Sequence, residues 1–257
     1  MIIIKNNVAI RKMRQAGALL AGIFSDLKQQ VKPGVSTGEL DSWIASELKA
    51  KDLVSATKGF MGYQHVSCIS LNDVVVHGVP NSFTILKDGD LVKIDICASW
   101  QGYNADMARS FFVGKEPLPS QGAALLVAVA QQALDKGISM ACPGNHLSDI
   151  SAAIQQEVEK HSFGIVRDFA GHGIGKKMHE EPEILNYGKA GRGPILRPGM
   201  TFAIEPMITA GGYKVFIAED KWTVKTCDKS LAAHVEDTIL VTASEPEVLT
   251  RNNIASI

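Results

Sequence analysis

The sequence has few cysteines, and none of them form a close-spaced pair. The four thiols are Cys68, Cys97, Cys142 and Cys227, which lie too far apart in sequence to form the paired ligands of a zinc ribbon. A small disulfide-stapled domain would carry more cysteines per residue. The cysteine usage therefore excludes a disulfide scaffold and is typical of a cytoplasmic protein.

The sequence also lacks a long apolar run and a strong net charge. The longest apolar run, residues 123–130, is far shorter than the ~20 residues of a membrane helix. Residues 16–24 are apolar, but charged residues follow with no cleavage site, which favours an amphipathic helix over a signal peptide. The formal net charge of −1 gives no electrostatic reason to expect nucleic acid or a membrane as a partner.

What the chain does have is an internal repeat. Residues 86–95 recur 110 residues later as residues 196–205, and Pro33-Gly34 recurs as Pro143-Gly144. Each copy ends an apolar strand on an acid, Asp95 in the first and Glu205 in the second. The repeat predicts a single catalytic domain over residues 1–257 that is made of two halves, about 1–116 and 117–257. The two halves are expected to join near residues 117–119.

Pairs of helices precede runs of strands in both halves. In the first half, helices are predicted to about residue 31 from a cap at Asn6 or Asn7, and over residues 36–51 from a capping box at Ser36 and Glu39. Helices over residues 122–139 and 147–161 are predicted in the second. Strand signals cover residues 66–71, 74–77, 91–98, 108–113, 163–167, 201–208, 222–226 and 232–242. This order favours an α+β fold with an antiparallel β-sheet covered by helices over a parallel Rossmann sheet, and residues 171–175 have the wrong glycine spacing for a dinucleotide site.

Asp95 and Asp106 flank a predicted hairpin turn. If the turn is centred between Trp100 and Gln101, the two aspartates face each other with Cβ atoms ~5 Å apart. Opposed like charges destabilise a hairpin unless a cation lies between them, so a metal site is indicated. The alternative is that one aspartate is a solvated turn residue, which suits Asp95 less because Ile94 and Ile96 flank it.

Three more side chains are candidate ligands. Glu205 follows an apolar strand and precedes a proline, which marks a strand end. Glu236 shares a face of an alternating strand with His234, although a polar edge strand would explain it equally well. His172 lies between two glycines, which let the backbone bring an imidazole close to another group; a satisfied polar core residue is the alternative.

Four carboxylates and one imidazole form an oxygen-rich ligand set. It suits Mn, Fe(II), Co or a pair of Zn ions better than a structural zinc or copper site. Five ligands are too many for one catalytic ion with an open position, and they suit two ions ~3.5–4 Å apart that activate water and polarise a carbonyl. Nearby histidines, of which His77 and His179 are candidates, would donate to the substrate or the tetrahedral intermediate.

These residues lie in motifs that resemble those of the bacterial, cytosolic type I methionine aminopeptidases, in the same order and over nearly the whole chain. The motifs are residues 68–78, 93–95, 102–106, 171–175, 179–182, 204–206 and 235–237. The resemblance implies the pita-bread fold of the creatinase and aminopeptidase group, whose pseudo-twofold symmetry agrees with the repeat. It also implies a hydrolase that removes the initiator methionine when the second residue is small.

The resemblance further implies a role for each ligand. Asp106 and Glu236 would bridge two divalent ions (Co, Mn, Fe(II), Zn or Ni), Asp95 would complete one site, and His172 and Glu205 the other.

It also implies the catalytic groups and the methionine pocket. Glu205 would handle the proton of the attacking water, His179 would steady the carbonyl oxygen, and His77 would contact the substrate's amide. The pocket, whose sulfur and aromatic groups suit a thioether, would be lined by Phe60, Tyr63, Cys68, Met178 and Trp222. The chain departs from the family pattern at Met178, often an aromatic, and at Asn104-Ala105, often a histidine-glycine pair, which bears on second-residue preference.

Two alternatives remain open at this point. A proline-directed peptidase of the same fold, aminopeptidase P or prolidase, would share the ligands but normally carries a large extra N-terminal domain, whereas this chain reaches its first helix within ten residues. A non-catalytic relative would have lost ligands, and all five positions are filled here. The expected partners are N-terminal peptides of nascent proteins; ribosome association stays open, and a monomer is the default.

Overall fold

A computed structural model describes residues 1–115 and 122–251 of the chain. Its helices are α1 (Asn7–Leu27), α2 (Thr37–Ala50), α3 (Gly122–Ser139) and α4 (Leu147–Glu159). Its strands are β1 (Val54–Ser55), β2 (Cys68–Leu71), β3 (Val74–Val76), β4 (Leu91–Trp100), β5 (Tyr103–Phe112), β6 (Gly164–Ile165), β7 (Gly171–Gly173), β8 (Glu180–Ile184), β9 (Thr201–Ile204), β10 (Met207–Thr209), β11 (Val215–Ile217), β12 (Val224–Thr226), β13 (Ala232–His234), β14 (Glu236–Leu240) and β15 (Glu247–Val248).

Side-chain caps fix where the first two helices begin. The Asn6 side chain accepts hydrogen bonds from the backbone of Val8 and Ala9 at the start of α1. Ser36 and Glu39 form the predicted capping box at the start of α2, each satisfying a backbone N–H that the helix leaves free. Helices α1 and α4 end two to four residues earlier than predicted.

The sequence repeat recurs in the backbone hydrogen bonds. Gly34 donates to the Leu86 carbonyl at 2.8 Å, and Gly144 donates to the Leu196 carbonyl at 3.1 Å. Each of these glycines has a positive φ, +91° and +94°, which a residue with a Cβ adopts only under strain. The division near residue 116 and the join at 117–119 lie at or outside the edge of the described residues, so the two-half division stays a prediction.

A nine-stranded antiparallel sheet carries the site. Its order is β1-β4-β5-β14-β9-β7-β8, with β2 paired to β4 and β15 to β14. Val92, Ile94 and Ile96 of β4 lie in the apolar core formed with α1 and α2. Because side chains alternate along a strand, Asp95 is directed to the opposite face of the sheet.

The hairpin between β4 and β5 corrects the predicted register. Asp95 pairs with Ala108, and Asp106 pairs with Cys97, so the prediction that the two aspartates face each other is wrong. Gln101 and Gly102 have φ values of 49° and 77°, the two-residue turn that hairpins favour, and this moves the pairing by two residues. A shift of two keeps every side chain on its face, so both aspartates stay on one face as diagonal neighbours.

Two predicted strands are each broken in the middle. β9 stops before Glu205-Pro206 and continues as β10, and β13 stops before Val235 and continues as β14. The breaks lie side by side, because Val235 N–H donates to the Pro206 carbonyl at 3.5 Å. At this kink the chain passes from the main sheet, where β14 pairs with β9, to a three-stranded sheet, where β10 pairs with β13 and β6. Glu205 and Glu236 flank the kink.

Candidate metal centre

All twelve side chains predicted from the sequence line one cavity of about 120 Å³. The five candidate ligands come from or directly follow five strands of the main sheet. The two candidate catalytic histidines and the five candidate pocket residues complete the wall, together with Thr57 and Cys97. The twelve predicted residues are Phe60, Tyr63, Cys68, His77, Asp95, Asp106, His172, Met178, His179, Glu205, Trp222 and Glu236. Their individual roles stay predictions.

Asp106, His172 and Glu236 form the centre of the cluster. One ligand atom from each lies within 4.8 Å of the others. The Nδ1 atom of His172 lies 3.0 Å from the Gly173 carbonyl oxygen, which can hold the proton there and leave Nε2 as the ligand atom. His172 Nε2 is 3.9 Å from Asp106 Oδ2. Three residues from separate strands thus offer convergent donor atoms.

Glu205 and Asp95 lie on either side of this centre. One carboxylate oxygen of Glu205 lies 3.5 Å from His172 Nε2, and the other lies 3.7 Å from His234 Nε2. Asp95 is the diagonal neighbour of Asp106 on the β4–β5 hairpin, and the Asp106 charge acts on it. The five candidate ligands therefore form one cluster, with Asp106, His172 and Glu236 at its centre.

The carboxyl groups raise one another's pKa values. Burial first, and the Asp106 charge next, raise the pKa values of Asp95, Glu205 and Glu236 well above their ordinary range. The Oε1 atom of Glu236 is buried and finds no hydrogen-bond partner in the part of the chain that the structure describes. A buried acceptor without a donor is costly, and neighbouring carboxylates repel unless a cation lies between them. The residues present therefore fit a divalent metal site.

Close backbone packing brings His172 to the cluster. A Cβ on Gly171 would overlap the Ala203 carbonyl oxygen, and one on Gly173 would overlap the Glu181 carbonyl oxygen. Only glycine allows β7 to lie this close to β9 and β8.

Further groups hold the backbone that carries Asp106 and Glu236. The Thr238 hydroxyl accepts from Asp106 N–H at 2.8 Å and donates to the Asp106 carbonyl at 2.9 Å. The Arg109 guanidinium donates to the Glu236 carbonyl at 2.5 Å and to Asp237 at 2.6 Å. Because β5 and β14 are also paired, the backbone positions of Asp106 and Glu236 are fixed relative to each other.

The two candidate catalytic histidines differ in their surroundings. His77 has a φ of 57°, and its ring packs edge-on against Phe169 at 5.4 Å. Burial, followed by the charge of His179, lowers the pKa of His77 to about 4, so it is neutral at pH 7. His179 is exposed, and its ring packs edge-on against His172 at 4.4 Å and Phe60 at 5.3 Å.

The small cavity opens into a cleft of about 810 Å³. The two share His77, His172, His179 and Glu205. A group bound at these four residues would therefore contact both spaces.

Sequence reasoning did not select His234 as a site residue. Its side chain is buried, its Nε2 has no hydrogen-bond partner among the residues described, and Glu205 is the carboxylate beside it. Burial, followed by the charges of His77, Lys93 and Arg109, lowers the pKa of His234 to about 3. The signal available in the sequence was its alternation with Glu236.

None of the helices described here is long and apolar enough to cross a membrane.

Comparisons with known proteins agree with this geometry. Residues 11–243 match the model of metallopeptidase family M24. The methionine aminopeptidase of Clostridium acetobutylicum is 44% identical over 250 residues, covering 97% of this chain and 99% of that protein. The methionine aminopeptidase of Escherichia coli K12 is 45% identical over 253 residues, covering 97% and 94%.

Solved structures separate the two enzyme alternatives. The methionine aminopeptidase of Thermotoga maritima superposes with a TM-score of 0.95 at 39% identity, covering 98% of this chain and all of that one. The prolidase of Pyrococcus furiosus shares the fold with a TM-score of 0.74, but at 22% identity and over 66% of its own longer chain. The predicted pita-bread fold and the family resemblance are confirmed, and the chain belongs to the M24 metallopeptidases and, among them, to the type I methionine aminopeptidases.

Proposed function

We propose that the chain removes an N-terminal methionine from peptides with the help of two divalent ions. The observation that carries this proposal is the convergence of four acids and one imidazole at the floor of a small, largely apolar chamber. A volume of about 120 Å³ is well below the ~300 Å³ or more of a drug-sized ligand site, which suits a single side chain.

Asp95, Asp106, His172, Glu205 and Glu236 would together hold the two ions. When bound, such ions would polarise the scissile carbonyl and lower the pKa of a water molecule. The oxygen-rich donor set accepts Co, Mn, Fe(II), Zn or Ni, so the physiological ion stays open.

Glu205 would take the proton from the attacking water and return it to the leaving amine. Its position between His172 and His234 supports this role, because the two imidazoles limit the directions in which its carboxylate can turn. A carboxylate held in this way beside the site of the attacking water is placed for general acid–base catalysis.

The histidines at the mouth would bind the peptide bond. His179 would donate to the carbonyl oxygen as negative charge develops there, and His77 would contact the amide beyond the cut. Oriented donors of this kind stabilise the transition state more than the bound substrate.

The chamber and the cleft would divide the substrate between them. The side chain of methionine would fill the space lined by Tyr63, Cys68, Trp222, Phe60 and Met178, where Tyr63 and Trp222 pack with ring centroids 4.9 Å apart. The rest of the peptide substrate would lie along the cleft of about 810 Å³. By the family resemblance, the proposed substrates are nascent cytoplasmic proteins whose second residue is small.

A peptide assay tests the proposal. Purified protein loaded with Mn or Co is expected to cleave a Met-Gly-Met-type peptide and to spare Xaa-Pro peptides, with activity lost after chelation. Absence of turnover with metal bound would overturn the enzyme assignment, and cleavage of Xaa-Pro peptides alone would favour a proline-directed peptidase.

A further inference from the structure

A buried ion pair ties the N-terminal segment of the chain to the segment that carries His179. Lys5 Nζ lies 2.7 Å from Glu180 Oε2, and the two side chains are only 5% and 4% exposed. The same ammonium donates to the Ile3 carbonyl at 3.1 Å. Removing one partner of a buried pair leaves an uncompensated charge, so the two side chains hold each other in place. Residues 1–5 are called the strap here, and residues 175–180 the histidine loop.

The space around the ion pair is filled. A Cβ on Gly175 would lie 2.5 Å from Lys5 Cε and 2.6 Å from Glu180 Oε1, so a larger residue at the start of the histidine loop would have to displace the ion pair. Asn104 of β5 fixes the same point from the other side, since its backbone N–H and its side-chain amide donate to the Gly175 carbonyl at 2.8 and 3.0 Å. The loop is thus clamped between β5 and the strap.

The strap itself is held without the ion pair. Lys5 N–H donates to the Gly199 carbonyl at 2.8 Å. Gly199 has a φ of +90°, and a Cβ there would lie 2.7 Å from Ile4 Cγ2, which shows how closely the strap packs. A change confined to the Lys5 side chain therefore tests the ion pair and leaves the docking of the strap in place.

His179 is the residue that this clamp would position. It directly precedes Glu180, and its exposed ring reaches over the site to lie 4.4 Å from the His172 ring. Its ring makes edge-on contacts with the rings of His172 and Phe60, and the backbone that carries it is held by the buried side chain of the next residue, Glu180.

We propose that the Lys5–Glu180 ion pair positions His179 over the candidate metal centre, which makes Lys5 and Glu180 positioning residues for the reaction. The inference rests on the proposed role of His179 at the substrate's carbonyl oxygen. A displacement of about 1 Å at such a group can reduce turnover by up to ~10²-fold. Because that contact strengthens in the transition state, the loss falls on kcat more than on KM.

The variants Lys5→Met and Glu180→Gln test the ion pair. Each substitution removes one charge and leaves the side chain nearly the same length. In Glu180→Gln the side chain keeps an oxygen that can accept a hydrogen bond from the Lys5 ammonium. The matched control is Arg14→Met, which breaks the exposed Arg14–Glu247 pair of 2.7 Å between α1 and β15. With a Met-Gly-Met-type peptide, kcat is expected to fall ~10-fold in the two test variants with KM within about twofold, and both constants are expected to stay unchanged in the control.

A double-variant cycle separates positioning from general destabilisation. If the ion pair acts through His179, Lys5→Met is expected to cause no further loss of kcat in a His179→Ala background. Losses that multiply in the double variant would overturn the inference.

A readout without catalysis completes the test. The ring-proton NMR signal of His179, identified by its absence in His179→Ala, is expected to move in metal-free Lys5→Met and Glu180→Gln and to stay in place in Arg14→Met. An unmoved signal in a folded test variant overturns the inference, and so does an unchanged kcat where the parent protein is active. A parent that cleaves no methionyl peptide while the signal moves would defeat the proposed function and leave the positioning intact. If Lys5→Met does not fold, Glu180→Gln alone decides.

Discussion

Replacing Asp106 with asparagine is expected to stabilise the metal-free protein and to abolish its response to divalent ions. Asp106 is the first neighbouring charge, after burial, that raises the pKa values of Asp95, Glu205 and Glu236. Asparagine is nearly the same size, and its side-chain oxygen can still accept from Met107 N–H, as Asp106 does at 3.1 Å. The substitution thus removes charge with little change in packing.

The magnitude follows from the spacing of the ligand atoms. Two ionised carboxylates 4.8 Å apart, the upper limit within the cluster, repel by about 3 to 4 kcal/mol at an effective dielectric constant of ~20. The parent protein avoids part of this cost by keeping protons on its neighbours. We therefore expect Asp106→Asn to raise the free energy of unfolding by roughly 1 to 3 kcal/mol near pH 8 without metal.

The pH dependence has a definite sign. A carboxyl whose pKa is raised on folding contributes stability below its unfolded pKa, ~4, and that contribution is lost as the pH rises through the folded value. The parent protein without metal is therefore penalised increasingly above about pH 4, whereas the variant escapes much of the penalty. The difference between them is expected to be small in acid and to grow towards pH 8.

Urea denaturation of chelator-treated protein at pH 5 and pH 8 measures this difference. Mn added at 100 times its dissociation constant should stabilise the parent by about 2.7 kcal/mol and leave the variant unchanged, which reduces or reverses the difference in stability. A metal-free variant less stable than the parent at pH 8, or a difference independent of pH, would refute the electrostatic reasoning.

Three further substitutions test separate parts of the site. Glu205→Gln should keep the fold but lower turnover by ~10²-fold or more; near-normal turnover would exclude Glu205 as the proton-transfer group. His179→Ala should lower kcat far more than metal content measured by mass spectrometry, and the reverse result would make His179 a ligand. Gly173→Ala should destabilise by about 1 to 3 kcal/mol through overpacking against the Glu181 carbonyl and weaken metal binding through His172. Gly22→Ala on α1, where a Cβ meets nothing within 4 Å, is its control, and equal melting temperatures for the two would contradict the packing argument.

The features predicted correctly from the sequence are those set by local chemistry. Asn6 and the Ser36–Glu39 pair begin helices because their side chains bond backbone groups within three residues. The aspartates of the β4–β5 hairpin keep their face because side chains alternate along a strand, even though the predicted register was wrong by two residues. That error came from the turn, where a glutamine at positive φ gave no sequence signal.

The missed features depend on contacts between distant parts of the chain. The proline after Glu205 signalled a strand end, but the predicted strand over residues 201–208 ran through it. The matching break at Val235, which donates to the Pro206 carbonyl, is not visible in the apolar alternation. β7 and β8 are rich in glycine, histidine and glutamate, which gives no strand pattern. The contact of His234 with Glu205 depends on this same kink.

Anomalous diffraction from crystals soaked in Mn would locate the ions themselves. We expect two ion peaks within coordinating distance of Asp95, Asp106, His172, Glu205 and Glu236, with Asp106 and Glu236 each contacting both ions. Ions bound elsewhere, or peaks that Asp106, His172 and Glu236 do not jointly contact, would contradict this expectation.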